Sequence, residues 1–152
     1  MKKVFTLLAL SLLFGCTDRT KIELENGEGK LVEVKVDSGE WFEFDFDTFV
    51  KLTKQISAEA KRQCNNATTY IPTFSGIMEW DRDTKVYKND YTPKGDVVTI
   101  LFSFFASNSF GVKSEEIITR DYEDSGNGYK DVTEKIKAVR AEMSRRKYLN
   151  KY

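Results

Sequence analysis

The 152-residue chain has no histidine, only two cysteines and only two prolines. The first two scarcities each close off a class of chemistry. Serine–histidine–aspartate and cysteine–histidine nucleophilic sites need an imidazole to carry the proton, so neither can be built here. Histidine-ligated zinc is excluded for the same reason, and two thiols are too few for a cysteine-only zinc or iron–sulfur site. No cofactor and no metal are expected. Apolar runs are also scarce, and the eleven residues 4–14 form the one near the start of the chain. As a helix they would rise ~16 Å, about half of a ~30 Å hydrocarbon core, which is too short to span it. A large excess of one charge is lacking as well, with 24 basic residues against 24 acidic ones. That balance argues against a general nucleic-acid binder.

What is present begins with an address. Lys2 and Lys3 precede the apolar run, and the run ends in Leu13-Phe14-Gly15-Cys16. A basic start, a short apolar stretch and a small residue at the cut describe a secretory signal. The last four residues resemble the lipobox of bacterial lipoproteins, in which an obligatory cysteine follows a small residue. The resemblance covers residues 1–16. It implies cleavage after Gly15, diacylglycerol on the Cys16 thiol and acylation of the new amino group, and several acyl chains anchor durably where one does not. The expected organisation is a signal peptide at 1–15, a lipidated cysteine and short tether at 16–20, and one domain at 21–152. Thr17, where an aspartate would favour inner-membrane retention in enterobacterial lipoproteins, implies the outer membrane, facing the periplasm. The tether reaches only ~15 Å when extended, so the domain would sit close to the bilayer.

Removing fifteen residues leaves 137, enough for one domain with its own core. Nine of the eleven Phe and all seven Tyr lie in those residues and supply that core. The charge is unevenly spread. From Lys130 onward eight basic residues face three acidic ones, a net of +5, while residues 16–129 carry 14 basic and 21 acidic ones, a net of −7. Such asymmetry is an interaction signal.

Alternation of apolar and charged residues predicts strands at 21–25, 30–36 and 41–46, with turns at 26–29 and 37–39. The period then becomes helical. Phe49, Leu52, Ile56, Ala60 and Cys64 form one stripe, and Asp47 or Thr48 stands where a cap belongs, so a helix is expected over about 48–64. Further strands are expected at 68–80, 84–89, 96–107 and 112–123. Residues 97–105 are apolar on both faces, which predicts a central strand covered on both sides. After a loop at 124–128, a helix over about 131–149 carries Val132, Ile136, Val139 and Met143 as its stripe. The expected fold is α+β, an antiparallel sheet packed on one long helix, plus a C-terminal amphipathic helix.

Five features carry possible chemistry or contact. Glu43, Asp45 and Asp47, two residues apart, would share one strand face and offer a cation site or an acid–base pair; the competing reading is a wet face with Asp47 as a cap. Trp80, Tyr87 and Tyr91 could stack on a sugar ring, although strand aromatics more often serve the core. Cys64 is either a redox thiol or a small buried hydrophobe on its helix stripe. Ser144-Arg145-Arg146-Lys147 matches the S-x-x-K of penicillin-binding proteins formally, but its S-D-N and K-T-G companions are absent. Arg145, Arg146 and Lys147 are the expected contact to a partner or to anionic headgroups, against a role in complementing the helix dipole.

The expectation is therefore a non-catalytic envelope lipoprotein, held to the membrane by its lipid anchor and binding a protein or cell-wall component. The alternatives are a cell-wall hydrolase working through carboxylates, and an exclusion or inhibitor lipoprotein of phage or plasmid type.

Overall fold

The structure is a computed structural model that describes residues 18–37, 45–78 and 97–149. The chain runs β1 (Lys21–Glu25), β2 (Leu31–Asp37), α1 (Phe46–Gln63), β3 (Ile71–Met78), β4 (Val97–Ser107), β5 (Lys113–Asp124), β6 (Tyr129–Asp131) and α2 (Thr133–Leu149). A single 3-10 turn, Ala67–Thr69, leads into β3. The class is α+β as expected, and the described strands form one sheet in the order β1-β2-β3-β4-β5-β6.

Two features of the expected sheet and helices are corrected. The sheet is not wholly antiparallel, because β2 and β3 pair in parallel, Lys35 opposite Phe74 and Asp37 opposite Gly76. The cause is α1 between them: parallel neighbours need a long crossover, and a helix of 18 residues supplies it. Nor is one long helix set beside a lesser one, since α2 has 17 residues. The expected strand at 41–46 is corrected at its end. Asp45 caps α1 and Phe46 is its first residue, while 41–44 lie outside the described residues. The strand expected at 84–89 lies outside them too. A short strand, β6, was not anticipated; its three residues sit behind a glycine-rich loop and carry no readable alternation.

α1 lies across one face of the sheet, called the inner face. Its stripe of Phe49, Leu52, Ile56 and Ala60 is buried, and it meets Ile22 and Leu24 of β1, Val34 and Val36 of β2, and Ile100, Phe102 and Phe104 of β4 in one cluster. Two buried hydroxyl pairs fix the helix over the crossover. Thr53 bonds Ser75 on β3 at 3.0 Å, and Ser57 bonds the Tyr70 hydroxyl at 2.7 Å. Burial pushes the Tyr70 hydroxyl up to about 12, with the bond from Ser57 offsetting part of the rise. Arg120 of β5 adds an ion pair to Glu59 of α1 at 2.6 Å.

The other, outer face is covered only in part, which corrects the expectation of a β4 strand buried on both sides. Thr99 and Ser103 are buried there, but Leu101 and Phe105 are half-buried. The helix α2 supplies that partial cover. Asp121 lies directly opposite Thr99 on the outer face and is 1% exposed. It accepts from the Thr99 hydroxyl at 2.6 Å and from Arg140 of α2 at 3.1 Å. Ile136 of α2 is fully buried. Val132, expected on the helix stripe, is buried just ahead of α2, and its carbonyl accepts the first helical bond from Ile136. The Val139 and Met143 side chains lie outside the described residues.

Pro72 sits inside β3 without breaking it. It precedes the parallel ladder with β2 and falls beside the register shift between Pro72 and Phe74, so its missing N–H costs no ladder bond there.

Phe49 is the fully buried aromatic that joins α1 to the sheet, so Phe49→Ala should cost about 3–5 kcal/mol through lost burial and a residual cavity. Urea unfolding followed by circular dichroism checks this, and a change below about 1 kcal/mol would mean that α1 is not seated as described.

Candidate functional site

The three carboxylates do not share a strand face. Asp45 is the N-cap of α1, accepting from the Thr48 backbone N–H at 3.0 Å and from its hydroxyl at 3.0 Å. The backbone bond from Thr48, then its hydroxyl, holds the Asp45 carboxyl below its ordinary range. Asp47 lies in the first turn of the helix, where an acidic residue complements the dipole. The expected cap at Asp47 is thus corrected to Asp45, and Glu43 lies outside the described residues. Asp45 is committed to capping the start of α1.

Trp80, Tyr87 and Tyr91 lie outside the described residues, as do Gly15 and Cys16. Cys64 is corrected from the helix stripe to the C-cap of α1. Its backbone is extended, its side chain is half-buried, and its thiol donates to the Ala60 carbonyl at 3.2 Å. Burial, then the charge of Glu116, pushes the Cys64 thiol up. A raised thiol is mostly protonated at neutral pH and is a poor nucleophile.

On α2 the structure brings two of the three expected cations onto one acid. Arg145 grips Glu142 with two bonds, at 2.8 and 2.9 Å, and Arg146 bonds the same carboxylate at 2.8 Å. Arg145 first, then Arg146, holds the Glu142 carboxyl down at about 2. Lys147 is exposed and carries no ion pair among the described residues. Ser144 is exposed on the same helix, three residues from Lys147.

Two surfaces that residue patterns alone did not reveal stand out. The first is the β4–β5 hairpin tip. The Asn108 side chain accepts from the backbone N–H of Phe110 at 2.9 Å and of Val112 at 3.0 Å. Gly111 takes φ +77°, which a side-chain-bearing residue rarely adopts. This tight turn holds Phe110 90% exposed and Val112 59% exposed. Val112, expected to open a strand, therefore belongs to the turn. The outer face continues the apolar surface through Ile71, opposite Phe105, and through Ile117, 61% exposed. Lys113 lies over the Phe105 ring at 4.9 Å. Phe110 is thus held outside the core, nearly bare on a well-braced turn.

The second surface is a groove of about 400 Å³ between α1 and the edge strand β1. Lys54, Ala58, Lys61 and Arg62 of α1 form one wall, with Glu23 and Leu24 of β1 on the other. Lys61 reaches Glu25 at 3.9 Å.

Among the described residues no group of three histidine, cysteine, aspartate or glutamate side chains is placed to hold a metal ion. No helix among them is long and apolar enough to cross a membrane. No protein-family model, curated protein or solved structure matches the chain.

The Glu142 clamp has a defined pH signature. Because its folded value lies below the ordinary 4.5, what it adds to the end of α2 is fully present above about pH 4.5 and fades as pH falls toward 2. Carboxyl NMR titration should give a midpoint near 2, returning toward 4.5 in the Arg145→Ala/Arg146→Ala double variant. A midpoint near 4.5 in the unaltered protein would show that the clamp does not form.

Proposed function

We propose that this chain is a lipid-anchored protein of the bacterial cell envelope that acts by binding a protein or cell-wall component rather than by catalysis. The reading of residues 1–16 puts the anchor on Cys16 and the domain in the envelope, on the outer membrane facing the periplasm. The observation that carries the binding half is the braced hairpin tip, where Phe110 and Val112 are held in water beside the half-open outer face. Burying apolar area of this kind against a partner gains roughly 25 cal/mol per Å², and such patches mark contact sites on domains of this size.

The arrangement of the sheet supports the same reading. The register Lys21–Lys35–Phe74–Ser103 places the start of β1 level with the middle of β4. From there β1 and β4 both run toward the hairpin tip, which lies a further four residues, ~13 Å, beyond Ser103. A chain tethered at Cys16 enters β1 heading that way, so the tip is directed away from the anchoring bilayer. Arg145, Arg146 and Lys147 offer a second, polar contact, weakened because Glu142 neutralises part of it.

Two measurements test the halves separately. Intact mass of membrane-extracted protein should show acyl additions on Cys16, and Cys16→Ser should abolish both addition and cleavage. In-cell crosslinking should give one dominant envelope protein, lost from the Phe110→Ser/Val112→Ser variant while the variant's unfolding midpoint stays unchanged. An unmodified Cys16 would remove the anchor. A crosslinking pattern unaltered by the tip variant, or a hydrolytic activity lost on carboxylate substitution, would remove the binding reading.

A further inference from the structure

The edge of the sheet at β1 has the parts of a peptide-binding groove. In an antiparallel pair, backbone groups alternate between facing the neighbouring strand and facing away. Val36 N–H donates to the Thr20 carbonyl, and Asn26 N–H donates to the Lys30 carbonyl, so even-numbered positions turn toward β2. Lys21, Glu23 and Glu25 therefore turn their N–H and C=O outward. Among the described residues β1 is the outermost strand and those groups have no ladder partner. An exposed edge of this kind takes an added strand when a neighbouring wall supplies specificity.

That wall is α1. Lys54, Ala58, Lys61 and Arg62 fall at helical spacings of three and four and line the groove beside Leu24. Neither Lys54 nor Arg62 is ion-paired among the described residues, and the one bond recorded to Lys61 is long, at 3.9 Å. The eight helical steps from Lys54 to Arg62 extend ~12 Å, the length of about four residues of extended chain.

The geometry points to this groove as the site where an extended, acidic segment of a partner protein adds as a further strand outside β1. Its backbone bonds the outward groups of Lys21, Glu23 and Glu25, and its carboxylates, on alternate residues, face Lys54, Lys61 and Arg62. The side chains between them point to the face that carries Glu23 and Glu25, so acidic residues are disfavoured there. Sequence reading could not find this site, because the three cations are scattered along a helix whose apolar stripe dominates its pattern. The inference rests on the chain being a binding module, but neither on its anchor nor on its hairpin tip.

The experiment is selection of a displayed library of random twelve-residue peptides on the full chain. Two variants accompany it: Glu23→Pro, which removes one outward N–H and keeps the β1–β2 ladder, and Lys54→Glu/Arg62→Glu. Enriched peptides should carry carboxylates on alternate residues and bind either variant at least tenfold more weakly. They should also slow amide exchange at Lys21, Glu23 and Glu25. Failure to enrich, enrichment without alternating carboxylates, or binding unchanged in Lys54→Glu/Arg62→Glu overturns the proposal. So does a dimer of the unaltered chain that Glu23→Pro converts to monomer, which would give the edge to a second copy. Any of these leaves acylation of Cys16 and the crosslink at Phe110 as they stand.

Discussion

The seating of α1 on the inner face is the interaction on which the rest of this structure depends. The helix links two strands that lie side by side and point the same way, so its packing and the parallel β2–β3 pairing stand or fall together. Phe49, Leu52, Ile56 and Ala60 supply the apolar part of that seat. The Thr53–Ser75 and Ser57–Tyr70 pairs make it directional, because a buried hydroxyl left without its partner costs about 1–3 kcal/mol. A helix shifted by one turn would lose both.

Once α1 occupies one face, the two sides of the sheet diverge. The inner side is filled by aliphatic and aromatic side chains, with the two hydroxyl pairs and the Arg120–Glu59 ion pair among them. The outer side is closed at the Thr99–Asp121–Arg140 cluster beneath α2 and half open toward the hairpin tip. The edge strand β1 is in turn left beside a wall of cations because α1 crosses above it. Among the described residues one sheet thus separates a closed, apolar side from a half-open one.

Much of this division was legible in residue order. The alternation Ile22, Leu24 and Val34, Val36 put β1 and β2 in place, and the period of Phe49, Leu52, Ile56 and Ala60 announced α1. What alternation could not supply was direction. It reads the same for parallel and antiparallel neighbours, so the crossover at β2–β3 escaped it. Asp45 and Phe46 continued the period-two pattern of 41–46 by chance of composition, and the cap bond to Thr48 overrode it. The exposed surfaces were harder still. Phe110 is one phenylalanine among eleven in the sequence, and only the Asn108 turn shows that it faces water. Lys54, Lys61 and Arg62 look like an ordinary solvated helix face until β1 is placed beside them. The basic helix end was visible as a charge run, but its partial neutralisation by Glu142 depends on rotamers that residue order does not carry.

The central claim is that the inner face is spent on stability and the hairpin tip on contact. Hydroxyl-radical footprinting of the purified protein and of intact envelopes tests it most directly. Phe110 should oxidise readily in the purified protein and be protected in envelopes, while Phe49 and Tyr70 stay unmodified in both. Equal oxidation of Phe110 in the two preparations would contradict the account.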